Sequence, residues 1–263
     1  MTDLEAIEAF LSYLRAGRIS ASTQRIYRSH LTRLNSALPS GLLAASHGEL
    51  AEYLGAQNLV LKPESMKCKR AVMGAIYRWL VEEDVLDADP ARRLPTVRVP
   101  KSSPKPVPED VLARALREAD EETRFMLLLG AYAGLRRAEI AGLHSEHVSE
   151  THLRITGKGG RTRAVPVHPF LRPYLGFAGW AFPAPRVQGA HIIPDTVGER
   201  AAAALGVPFT THCLRHRFAT QAYRASHDLR AVQTLMGHSS PDTTARYIQV
   251  GEDSLRDAVL ALA

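Results

Sequence analysis

Between His212 and Tyr247 the chain concentrates side chains able to handle a phosphate. The stretch opens with His212-Cys213-Leu214-Arg215-His216, runs through Gly237-His238 and reaches Tyr247. His212 and Arg215 are three positions apart, so a helix carries both on one face. A guanidinium is a permanent cation whose forked donors match phosphate oxygens. Imidazoles donate a hydrogen bond or take a proton near neutrality. A phenol becomes a nucleophile once its proton is removed, and nearby cations must help, because its ordinary pKa is about 10. This inventory suits attack of a phenol on a phosphodiester. Such a reaction builds negative charge on the nonbridging oxygens and needs a proton for the leaving oxygen. Two-metal nucleases meet that charge with ions held by clustered carboxylates. Here the motifs are short of acids and rich in cations, so the expectation is chemistry with no metal and no other cofactor. Taken alone, Tyr247 reads as a half-buried helix tyrosine; the neighbouring motifs carry the chemical reading.

Two further motifs precede this stretch. An apolar run over 125–132 reads as a buried helix and leads into Gly134-Leu135-Arg136-Arg137-Ala138-Glu139. Arg136 and Glu139 could be a surface ion pair at i,i+3, but a buried helix running straight into Gly-Leu-Arg favours a placed cation. Residues 152–156 and 161–167 alternate and are rich in branched side chains, with Gly157-Lys158-Gly159-Gly160 between them. That pattern is a hairpin with Lys158 at its tip. No Gly-Lys-Ser/Thr precedes a helix, so an ATP-type phosphate loop is not implied.

Together these motifs resemble the signature of the tyrosine recombinases, the phage integrase family. His212 and Arg215 match its His-x-x-Arg core, with His216 in the usual following place. His238 and Tyr247 match its later His and its nucleophile. Arg136 follows Gly-Leu as the family's first Arg does, which makes Arg137 the weaker choice, and Lys158 matches its hairpin Lys. The motifs occur in the family's order over residues 109–250; the N-terminal part matches only by pattern. The resemblance implies that Arg136 and Arg215 clamp the scissile phosphate, that His238 donates to a nonbridging oxygen and that Lys158 protonates the leaving 5′-oxygen. It makes His212 the proton partner of Tyr247 and gives Glu139 and His216 supporting places. Attack by Tyr247 would leave a 3′-phosphotyrosyl link and a free 5′-hydroxyl, so strand exchange needs neither ATP nor metal.

The elements that must position these residues fall into two domains, as 263 residues allow. Hydrophobic residues make up 45% of the chain, enough for packed cores. The net charge of +6 and a pI near 9.5 are compatible with a polyanionic partner. Cys68 and Cys213 are too few for a disulfide framework or a cysteine zinc site, and read as reduced thiols. No apolar run approaches the ~20 residues of a membrane span, and the acidic, amphipathic start is unlike a signal peptide. The expected location is the cytoplasm, with the nucleoid of a bacterial host.

The expected fold is mainly α with a small antiparallel β-sheet: an N-terminal helical core-binding bundle and an α+β catalytic domain. Residues 1–95 read as four or five helices, 96–108 as an extended Pro/Lys linker, and 109–263 as the catalytic domain with a short apolar C-terminal helix over 254–263. Cations of the first domain and the linker are candidate phosphate contacts: Arg25 and Arg28 (with Arg33 nearby), Lys67, Lys69 and Arg70, then Lys101 and Lys105. A solvated helix face or a plain spacer is the alternative, and the resemblance tips at least one of the helix clusters toward DNA.

Three rivals stand beside this reading. His212 and His216 have the i,i+4 spacing of a zinc helix, but the Glu of His-Glu-x-x-His is missing and Arg215 would repel a metal. A type IB topoisomerase shares the attack chemistry, and a non-catalytic DNA-binding regulator could share the fold. The expected function is integration and excision of phage or mobile-element DNA at short core or attachment sites, with chromosome-dimer resolution as the nearest alternative. The family implies four protomers on two duplexes with the C-terminal helix exchanged between them, and leaves room for a directionality factor. With a helix beginning so near Met1, a compact form lacking an arm-binding domain is expected.

Overall fold

In the computed structural model of this protein, residues 1–100, 105–157 and 160–237 are described. Lys101, Lys158, His238, Tyr247 and the expected helix over 254–263 lie outside the described residues. The chain divides into two compact units, Met1–Ser102 and Ser103–Ala263, and the division falls within the expected linker.

The first unit is a bundle of α1 (Asp3–Ala16), α2 (Ala21–Ala37), α3 (His47–Asn58) and α4 (Pro63–Glu82). Its helix starts follow local chemistry. Thr2 with Glu5, and Ser46 with Glu49, form reciprocal capping boxes, and Ser20 caps α2. Pro63 opens α4, where its missing N–H costs nothing. The apolar stripes meet in one core that includes Phe10, Leu31, Leu50, Ile76 and Trp79. The Asp3 carboxylate accepts from the backbone N–H groups of Leu42 and Leu43, both at 3.0 Å, and fastens the α2–α3 loop to α1.

The second unit contains α5 (Glu109–Glu118), α6 (Glu121–Tyr132), α7 (Arg137–Ala141), β1 (His152–Thr156), β2 (Thr162–Pro166), α8 (Pro194–Leu205), α9 (Thr211–Ser226) and α10 (Leu229–Met236). Helix α6 is buried along most of its length and packs against α8 and α9. β1 and β2 form an antiparallel hairpin with Leu153 opposite Val165 and Ile155 opposite Arg163. The alternation turns these four residues inward. Helix α10 packs on α9 and on β2. Arg217 locks α9 in place: it donates to both oxygens of Glu109 at 2.8 and 2.7 Å, donates to the Ala131 carbonyl at 3.1 Å and lies over the Tyr132 ring. Among the described residues, no helix is long and apolar enough to cross a membrane.

Candidate active site

Three elements of the second unit converge on the carboxylate of Glu139, which α7 carries. The first is the turn after α6. Gly134 adopts φ +64°, and a Cβ there would stand 2.4 Å from Cδ1 of Phe218, so both the conformation and the space require glycine. This turn delivers Arg136 as the residue capping α7. Glu139, one turn on, reaches back: the Arg136 backbone N–H donates to its Oε2 at 2.9 Å, and Arg136 Nη1 donates to its Oε1 at 2.8 Å. From β2, Arg163 adds a bidentate pair, Nη1 to Oε1 at 3.0 Å and Nη2 to Oε2 at 2.7 Å. From α9, Arg215 places Nη1 3.9 Å from Glu139 Oε2, and its guanidinium donates to the carbonyls of Gly134 and Met236.

Exposure sorts these groups. The side chains of Glu139, Arg163 and Arg215 are only 5%, 6% and 2% exposed, whereas that of Arg136 is 37% exposed. Arg136 therefore faces outward from a buried ionic base. Burial, the largest influence on the Glu139 carboxyl, raises its pKa; hydrogen bonds from Arg163 and Arg136, with the charge of Arg163, outweigh it and hold the pKa below the usual carboxylate value. Three guanidiniums around one carboxylate leave a local excess of positive charge, as a site for a phosphodiester requires.

His212 and His216 lie on successive turns of α9 with ring centroids 4.3 Å apart, edge to face. Desolvation by surrounding protein lowers the pKa of His212, even though the residue keeps an exposed edge; Arg215 and Arg136 add to the shift. His216 is pushed down to about 4 by burial, then by His212 and Arg215. Both rings are therefore neutral at pH 7, and a neutral His212 can accept a proton. Because the folded-state pKa of His216 is depressed, its stabilising contribution is full above the ordinary histidine pKa and is lost as pH falls toward 4. Thermal melts of the protein and of His216→Gln, taken from about pH 7 to about pH 4.5, are expected to show the Tm difference moving against the histidine form as pH drops. A difference independent of pH would contradict this.

The structure thus brings together Arg136, Glu139, His212, Arg215 and His216. Two glycines, Gly157 and Gly237, also lie against this cluster. A Cβ on Gly157, the residue before Lys158, would lie 3.4 Å from Glu139 Oε1 and 3.7 Å from Arg136 Nη1. A Cβ on Gly237, the residue before His238, would lie 3.3 Å from Arg163 Nη1. Arg137, the less favoured of the two adjacent arginines, points elsewhere and pairs with Asp195 at 2.9 Å.

The candidate phosphate contacts fare unevenly. Arg25, Lys67 and Lys105 are exposed. Arg28 is exposed but paired with Glu8, and half-buried Arg70 donates to the Leu94 carbonyl at 3.1 Å. Lys69 departs from expectation: it is buried, and its ammonium donates to the Tyr53 hydroxyl at 2.9 Å. It sits on the inner face of α4 with Met66, Val72 and Met73, where a phosphate cannot meet it without disturbing the core. Arg163 is the residue that sequence reasoning missed. The signal was present, since period-2 alternation places it on the same strand face as Val165.

A sequence model described as the phage integrase family matches residues 189–253. A protein named tyrosine recombinase XerC from Chromohalobacter salexigens is 33% identical over 279 residues, spanning 96% of this chain and 93% of that protein. The chain belongs to the tyrosine recombinase family. It is an enzyme of site-specific recombination that cleaves and rejoins DNA strands. A tyrosine recombinase XerD from Ralstonia nicotianae is 29% identical, over 96% of this chain and 92% of its own. Among solved structures, the integrase from mycobacterium phage Brujita is 27% identical, with a TM-score of 0.50, covering 95% of this chain and 89% of that one. A lambda integrase dimer bound to a COC′ core site shares the fold at a TM-score of 0.76 and 19% identity, covering 94% of this chain and 77% of that one.

Proposed function

We propose that this recombinase cleaves DNA with Tyr247 as nucleophile, in a site where Arg136 and Arg215 hold the scissile phosphate. His212, neutral at physiological pH, accepts the phenolic proton. His238 donates to a nonbridging oxygen, and Lys158 protonates the departing 5′-oxygen. In this reading the 3′-phosphotyrosyl bond keeps the energy of the broken phosphodiester, and a 5′-hydroxyl of the partner duplex reverses the step. The observation that carries the proposal is the buried Glu139 carboxylate, which gathers Arg136, Arg163 and Arg215 and leaves Arg136 open to a ligand. The approach of Gly157 and Gly237 to the same cluster supports the parts given to Lys158 and His238. Residues 1–95 and the linker are proposed to hold the duplex, with Arg25, Lys67 and Lys105 among the phosphate contacts; buried Lys69 has no part in this.

For the biological setting, we propose integration and excision of phage or mobile-element DNA by protomers assembled on two duplexes. The similarity to the phage Brujita integrase over most of both chains supports this. Chromosome-dimer resolution is the second reading, and the relatives named XerC and XerD favour it.

One experiment tests both levels. Covalent protein–DNA adducts are captured under denaturing conditions from cells expressing the protein, then digested from each side. The expected peptide carries a nucleotide on Tyr247, and adducts also form in vitro on a nicked duplex in the presence of chelator. A modified residue other than Tyr247 would overturn the mechanism. Attached DNA from two unlike loci supports integration; a single recurrent chromosomal locus supports dimer resolution.

A further inference from the structure

The mechanism above uses Arg136 and Arg215 but leaves the third arginine of the cluster without a task. Arg163 is nevertheless held at three of its nitrogens. Its Nη1 and Nη2 take both oxygens of Glu139, and its Nε donates to the Leu235 carbonyl at 2.8 Å. Leu235 is in the last turn of α10, where helix carbonyls have no partner within the helix and carry the negative end of its dipole. The next carbonyl, that of Met236, accepts from Arg215. Gly237 then ends the helix at φ +59°, with its Cα packed so closely on Arg163 that an added Cβ would meet Cδ at 3.1 Å. Arg163 therefore touches the Arg136–Glu139 pair on one side and, on the other, the turn from which the chain continues to His238.

We propose that Arg163 is a positioning residue for DNA cleavage: a buried strut that fixes Glu139, and through it Arg136, relative to the end of α10. The role rests on the site assignment made above. It needs a guanidinium specifically. Two donors meet the carboxylate in parallel while a third, on a different edge of the same rigid plane, meets the carbonyl. A lysine ammonium on its flexible stem reaches one of these partners at a time. Without the strut, Glu139 keeps Arg136 and Arg215 as its facing charges, but α7 and α10 lose their common tie. Displacing a reacting group by about 1 Å costs roughly 100-fold in rate.

The test is single-turnover cleavage of a nicked duplex at saturating protein, with binding of the same duplex and thermal stability measured in parallel. Arg163→Lys is expected to bind within roughly threefold of the parent and to cleave roughly tenfold more slowly; Arg163→Met is expected to lose roughly 100-fold. Leu153→Ala, a truncation of a fully buried residue on the paired strand, is the stability control. It should lower Tm at least as much as Arg163→Lys yet cleave at the parent rate once bound. A parent-like saturated rate for Arg163→Lys overturns the proposal, and so does an equal rate loss in Leu153→Ala. A parent protein that forms no adduct overturns the site assignment and this role with it; an active parent with unaffected Arg163 variants overturns the role alone.

Discussion

Tyr247→Phe is expected to bind the recombination site with unchanged affinity and to form no covalent adduct with it. The substitution removes one oxygen. Affinity for a duplex comes from many phosphate contacts spread over the protein, so losing one phenol leaves both the dissociation constant and its salt dependence in place. Cleavage has no such redundancy. If Tyr247 is the nucleophile as proposed, the variant has only water to attack with, and the proposed site assigns no residue to deliver it in line with the scissile bond. Removing the nucleophile of a site that acts as a unit costs on the order of 10⁴-fold or more. On a nicked duplex, whose cleaved fragment diffuses away and traps the enzyme, the parent should accumulate adduct while the variant shows none. Adduct formation by Tyr247→Phe at even a hundredth of the parent rate would assign the attack to another residue.

The residues that hold the cluster together differ in how legible they were in the sequence. Arg136 could be read because a buried helix, a glycine and an arginine in succession leave few roles for the cation, and Phe218 against Gly134 supplies the steric reason for that glycine. Arg215 could be placed by its spacing from His212, but spacing did not reveal that its guanidinium lies beneath the surface while His212 keeps an exposed edge. That depends on which side of α9 meets α6 and the turn at Gly134, a tertiary fact. Arg163 is hard to pick out in sequence, where a charged residue of a short hairpin looks solvated; only the strand's alternation marks it as inward. Helix α10 had its punctuation in view, Asp228 before it and Gly237 after it, yet eight residues are too few for periodicity to stand out. Lys69 erred the opposite way. Counted with its basic neighbours, it looked like part of a charged face, whereas the turn of α4 carries it inward to Tyr53.

Glu139 tests the whole arrangement, because its two obvious replacements should fail almost equally. Glu139→Ala leaves Arg163 and Arg215 buried without their counter-charge, and breaking a buried pair from one side costs about 3–5 kcal/mol. For a unit of this size that is a fall in Tm of roughly 10 °C or more. Glu139→Gln would be conservative at many sites, since it keeps the shape and one acceptor. Here each carboxylate oxygen already accepts from two donors: Oε1 from Arg136 Nη1 and Arg163 Nη1, Oε2 from the Arg136 N–H and Arg163 Nη2. Whichever way the amide turns, its NH₂ faces two donors and satisfies neither. The glutamine form should therefore lie within about 1 kcal/mol of the alanine form. Both should cleave DNA at least roughly 100-fold more slowly, since Arg136 loses the contacts that aim it. Thermal melts and adduct formation on the nicked duplex measure the two effects. A Glu139→Gln protein as stable and as active as the parent would show that neither the carboxylate charge nor its four accepted hydrogen bonds organise the arginines.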